Sequence, residues 1–83
     1  MYYVYVLQNC NIASDFYLGY SSGLKRRVNE HLAGRNRSTA GRQWRLVYYE
    51  AYTSEQAARE CERRLKHDGR VRRFLMERIE RHL

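Results

Sequence analysis

The chain opens on a segment with few ways to fold. Tyr2-Tyr3-Val4-Tyr5-Val6-Leu7 is dense in aromatic and β-branched residues and reads as a strand. Residues 8–14 and Asp15 behind it carry Gln8, Asn9, Asn11 and Ser14, which favour turns. Phe16-Tyr17-Leu18-Gly19-Tyr20 then reads as a second strand. So short a connection allows a hairpin, whereas a parallel return needs a crossover of about a dozen residues or more. The two strands are therefore expected to pair antiparallel. Alternation puts Tyr3, Tyr5 and Leu7 on one face and Tyr2, Val4 and Val6 on the other. In the second strand it sets Tyr17 and Gly19 against Phe16, Leu18 and Tyr20.

The remaining elements follow from periodicity. Ser21, Ser22 and Gly23 stop the second strand and can cap a helix, whose apolar stripe is Leu24, Val28 and Leu32. Gly34 is a C-terminal stop. Residues 35–43 form a polar, basic loop with Arg35, Asn36, Arg37, Ser38, Thr39, Gly41 and Arg42, and Trp44 to Tyr49 is a third strand. Thr53 or Ser54 caps a second helix with Glu55 in its first turn and Ala57 or Ala58, Cys61 and Leu65 as its stripe. Gly69 interrupts, and Val71, Phe74, Leu75, Ile79 and Leu83 mark a last amphipathic helix. The order β-β-α-β-α-α predicts an α/β protein of the α+β type. A three-stranded antiparallel sheet would be flanked by three helices, in one domain over residues 1–83.

Charge narrows the function classes. Sixteen Lys and Arg face nine Asp and Glu, giving +7, and all but two of the sixteen are Arg. The planar guanidinium fork matches phosphate, so this surplus points to a polyanionic partner. No basic helix carries the large apolar face that a membrane surface would need, and no apolar run reaches spanning length. Cys10 and Cys61 stand far apart, which makes neither a disulfide framework nor a zinc site. Two reduced thiols suit a cytoplasmic protein.

Several side chains can carry chemistry. The hairpin brings Tyr5 near Tyr17, two phenols beside Gly19, whose missing side chain leaves room for a substrate backbone; strand propensity alone favours plain packing for such tyrosines. Arg27 and His31 lie four apart at the border of the first helix's stripe, a half-shielded place where a guanidinium meets phosphate in a weakened dielectric. Lys25 and Arg26 point to solvent. The second helix offers Glu55, Glu60 and Glu62. One carboxylate can hold a single hard cation with its waters, and helix pairing such as Glu62–Lys66 is the plainer use. The loop arginines with Thr39 and Trp44 combine phosphate contacts with one aromatic platform.

Taken in order, these residues resemble the GIY-YIG nuclease superfamily, in particular its small single-domain members. The signature tripeptides appear as Tyr3-Val4-Tyr5 and Tyr17-Leu18-Gly19, with Tyr3 in place of the first glycine. Arg27 and His31 follow Leu24, then come Gly34 and Thr39. Trp44-x-Leu46-Val47-Tyr48-Tyr49-Glu50 matches the third strand, with Gln43 where a proline often stands, and Glu62-x-x-Leu65-Lys66 matches the helix of the metal-binding glutamate. The resemblance implies a metal-dependent endonuclease that hydrolyses phosphodiester bonds in DNA, with RNA as a further candidate. Tyr5, Tyr17, Arg27, His31 and Glu62 would be catalytic, with Glu62, in preference to Glu60, holding one Mg²⁺ or Mn²⁺. Either tyrosine could serve the attacking water. Lys25, Arg26, Arg35, Arg37, Thr39, Arg42, Trp44 and Arg45 would grip nucleic acid. The alternative is a nucleic-acid-binding module on the same scaffold that does not cut.

Overall fold

Alternation in the first strand sets the layering of the whole molecule. The computed structural model describes residues 1–37 and 39–82. It contains β1 (Tyr2–Asn9), β2 (Phe16–Ser21), α1 (Leu24–Leu32), β3 (Trp44–Tyr52), α2 (Glu55–His67) and α3 (Gly69–Arg81). The sheet is antiparallel in the order β2-β1-β3. Val4 and Val6 face α2 and α3 and form the main core with Ala58, Leu65, Leu75 and Ile79. Tyr5 and Leu7 face the other way, where Trp44, Tyr17, Leu24 and Val28 close a second cluster under α1. Each fully buried aliphatic or aromatic side chain contributes about 1.5–3 kcal/mol, so two small cores on opposite sheet faces hold this chain together.

The strands run further than their apolar runs. β1 continues through Gln8 and Asn9, both buried, because their side chains build the turn from inside the strand. Gln8 Nε2 donates to the Ala13 carbonyl at 3.0 Å, and Asn9 Oδ1 accepts from the Asn11 amide at 2.8 Å. β3 extends three residues past Tyr49, and the Glu50 carboxylate accepts hydrogen bonds from the hydroxyls of both Tyr48 and Tyr52. A bulge opposite Val6 and Leu7 gives β3 one extra residue.

α1 begins at Gly23 as its N-cap, one of the residues expected there, and Ser21 accepts the Gly23 amide from within the turn, at 3.0 Å. Two helix expectations need correction. Leu32 does not complete the α1 stripe: it is exposed, and His31 is fully buried in its place. Helical geometry explains the exchange. At about 100° per residue, position 31 returns to within about 20° of Leu24, while position 32 lies about 80° away. On α3, Leu75 and Ile79 are buried, but Val71 and Phe74 are exposed along the groove beside Cys61. Leu83 lies outside the described residues, as does Ser38 of the basic loop.

The remaining boundaries obey local chemistry. α1 ends in a left-handed Gly34 at φ +73°, where the Arg35 amide donates to the Glu30 carbonyl and the Gly34 amide to that of His31. Ser54 caps α2 through the Ala57 amide, and Asp68 caps α3 through Arg70 and Val71.

Candidate active site

Tyr5 sits at the centre of the α1 face. Its partner across the hairpin is Gly19, while Tyr17 lies diagonal to it with ring centroids 6.4 Å apart. The glycine does not leave room for a substrate backbone, as the sequence suggested. The space over it is filled by Tyr5 itself: a Cβ at Gly19 would fall 2.9 Å from Tyr5 Cε1 and closer still to Cζ and the hydroxyl. Gly19→Ala is therefore expected to force the Tyr5 ring aside. Overpacking of this kind costs about 1–3 kcal/mol, a melting temperature lower by roughly 5–20 °C in a domain this small. A circular dichroism melt checks it, and an unchanged melting temperature would show that the ring moves freely.

A buried hydrogen-bonded line starts at the Tyr5 hydroxyl. It meets His31 Nε2 at 2.8 Å, and His31 Nδ1 meets Thr39 Oγ1 at 2.8 Å. The threonine hydroxyl has a further acceptor in the Asn36 carbonyl, at 3.4 Å. With the threonine proton directed there, Thr39 accepts from Nδ1–H, and Nε2 is left to accept from the tyrosine. The Tyr17 ring packs against His31 at a tilt of 56°, with centroids 4.8 Å apart. Burial is the main force raising the Tyr5 hydroxyl to about 12, and the Arg27 guanidinium beside it pulls it partly back. The charges of Tyr17 and Glu62 push it up. His31 is held below the ordinary histidine value, first by burial and then by Arg27, against a smaller opposite pull from Glu30. At neutral pH the pair is thus a phenol donating to a neutral imidazole.

Arg27 and Glu62 come from helices on opposite faces of the sheet; Arg27 lies beside the Tyr5 hydroxyl, whereas Glu62 exerts the smallest of the influences on it. The Arg27 side chain is 36% exposed and loosely paired with Glu30 at 3.8 Å. Glu62 is 23% exposed, with Lys66 Nζ 3.3 Å from its carboxylate. Glu60 faces away: it is exposed and held by Arg63 at 2.6 Å. Glu55 is likewise exposed, paired with Arg59 at 3.4 Å. Among the described residues no group of three His, Cys, Asp or Glu side chains forms a protein cage for a metal. One half-buried carboxylate fits a divalent ion of the Mg²⁺ kind, which keeps several waters and takes further oxygens from a substrate phosphate.

The residues expected to grip nucleic acid divide. Lys25, Arg26 and Arg35 line one shallow groove on the outside of α1, and Arg37 is exposed in the loop that follows. Arg42 pairs with Asp15 at 3.2 Å and lies over the Trp44 ring. Arg45 is turned from Tyr5, because it donates at 2.6 Å to Gln8, which follows Val4 and Val6 on the opposite face. Trp44 and Thr39 cannot take the surface roles given to them. Trp44 is 4% exposed and donates its indole N–H to the Thr39 carbonyl at 2.9 Å, so it offers no open ring for a base. Thr39 is fully buried and orients His31. The threonine hydroxyl eight residues after a helical histidine gave no local sign of that contact, since the loop's return brings them together. Among the described residues, no helix is long and apolar enough to cross a membrane.

The GIY-YIG catalytic domain family matches residues 1–74. The chain is also similar to the UPF0213 protein BH0048 from Bacillus halodurans, known from a solution NMR structure. Identity is 32% over 93% of this chain and 84% of that one, with a TM-score of 0.57. No curated protein matches the chain significantly.

Proposed function

Because the chain belongs to the GIY-YIG catalytic domain family, we propose that it is an endonuclease hydrolysing phosphodiester bonds of DNA with Mg²⁺ or Mn²⁺. The observation that carries this reading is the buried hydrogen-bonded line Tyr5–His31–Thr39 with the Arg27 guanidinium beside the Tyr5 hydroxyl. Hydrolysis by in-line attack of water gathers negative charge on the phosphoryl oxygens, and fixed cations placed beforehand lower that barrier. Arg27 takes the non-bridging oxygens. Glu62 would hold the metal, which when bound would supply positive charge against the anionic transition state.

Of the two tyrosines, Tyr5 is the better base, because it has a proton sink behind it. As the water oxygen bonds to phosphorus, its proton passes to the Tyr5 oxygen, and the tyrosine proton passes to His31 Nε2. The phenolate is never free, which suits a hydroxyl raised to about 12. Thr39 holds Nδ1–H and so stabilises the imidazolium that forms. Tyr17, packed on the His31 ring, keeps the imidazole in place.

The test is cleavage of labelled single-stranded and duplex DNA, and of RNA, with Mg²⁺ or Mn²⁺ and with EDTA. Cleavage is expected only with metal. His31 must be neutral to accept the proton, and its value lies below 6.5. The rate should therefore hold steady down to about pH 6.5 and fall as acid protonates the imidazole. Metal-independent cleavage, or a rate that rises on acidification below that pH, would reject this mechanism.

A further inference from the structure

We infer that the open part of the sheet beside α1 is a stacking platform for an unpaired base of the substrate strand, a reading that rests on the nucleic-acid function proposed above. The two faces of the sheet are covered unequally. One carries two helices of 13 residues each, the other a single helix of nine. α1 shields Tyr5, Leu7 and Trp44 but leaves the outer side chains of β3 uncovered. Tyr49 stands directly opposite Tyr5 in the sheet, so it shares the catalytic face, and it is 54% exposed. The Tyr3 ring meets it in an edge-to-face contact at 6.1 Å, which fixes the tyrosine without covering it.

The surroundings match a nucleotide in charge as well as shape. Tyr3 and Tyr49 line a shallow groove of about 420 Å³ together with Leu24, Lys25 and Arg26. Arg26 is 68% exposed even while paired with Glu30, and Lys25 makes no ion pair among the described residues. An aromatic ring on an open sheet face takes the flat side of a base, and adjacent cations take its phosphate. A base inside a duplex has both flat sides occupied by its neighbours, so this arrangement favours an unpaired nucleotide. Adjacent strands lie about 4.8 Å apart, so a base on Tyr49 would belong to a nucleotide close to the scissile phosphate at Tyr5.

The experiment is fluorescence anisotropy without divalent metal, with a short labelled oligothymidylate and a duplex of the same length. The proteins are wild type, Tyr49→Ala and Tyr49→Phe, each checked by thermal melting. Tyr49→Ala is expected to bind the single strand about tenfold more weakly, the scale of one lost stacking contact. Duplex binding should change less than about twofold, and Tyr49→Phe should retain wild-type binding. Equal losses on both substrates, or none on either, would overturn the platform. So would a wild-type dimer that Tyr49→Ala turns into a monomer, since this surface would then join two copies. Failure of wild type to bind any nucleic acid would bring down the nuclease reading as well. Normal cleavage combined with unaltered single-strand binding by Tyr49→Ala would overturn the platform alone.

Discussion

Glu62→Ala is expected to abolish metal-dependent cleavage and leave the protein folded. The side chain adds little to the core: Ala58 and Leu65 on the same helix are the residues that pack, and Glu62 is partly exposed beside Lys66. Losing that i, i+4 pair costs about 0.3–0.5 kcal/mol, a fall in melting temperature of about 1–4 °C. The catalytic loss is of another order, because on the proposed reading Glu62 is the side chain that holds the metal. Glu62→Gln keeps the shape and removes the charge, so it should be equally inactive. Glu60→Ala provides the contrast, since that carboxylate is tied to Arg63 on the outside of α2, and it should cut normally. The measurement is conversion of supercoiled plasmid in Mn²⁺, read beside a melting curve. Cleavage by Glu62→Ala would reject the assignment of the metal ligand.

Most of the fold was legible because the sheet is two-sided. Strict alternation through Tyr3, Val4, Tyr5 and Val6 assigns each side chain to a layer before any contact is known. The helix caps were legible for a similar reason: Ser54 and Gly34 act on backbone groups within a few residues of themselves. What escaped depends on contacts between distant segments. An apolar stripe read by residue type selects Leu32, whereas packing selects His31, because the phenol of Tyr5 gives the imidazole a partner underneath the helix. Trp44 and Thr39 looked like surface recognition residues because they border an arginine-rich loop. The loop folds back instead, so that one orients the histidine and the other seals the cluster beneath it. The same burial moves the aromatic surface outward to Tyr49, in a strand that the sequence suggested would end there. Composition states how many cations exist but not which are engaged. Arg45 and Arg42 find partners in Gln8 and Asp15, while Lys25, Arg26 and Arg35 gather along one groove beside α1.

Arg27→Ala is expected to slow cleavage at least about a hundredfold, the scale for removing one preorganised charge stabiliser. Two effects act in the same direction. On the proposed mechanism the phosphoryl oxygens lose a cation that Glu30 holds only loosely, at 3.8 Å. The Tyr5 hydroxyl also loses the neighbour that restrains its upward shift, so it becomes harder to ionise. His31, no longer beside that positive charge, moves back toward the ordinary histidine value. The acid limb of the pH–rate profile should therefore shift to higher pH, a change that loss of phosphate binding alone would not produce. Arg27→Lys keeps the charge but not the two-pronged geometry, so it should recover part of the rate and most of the pH profile. A loss below about tenfold with an unshifted acid limb would place the phosphate clamp on another cation, with Lys25 and Arg26 the nearest on the same helix.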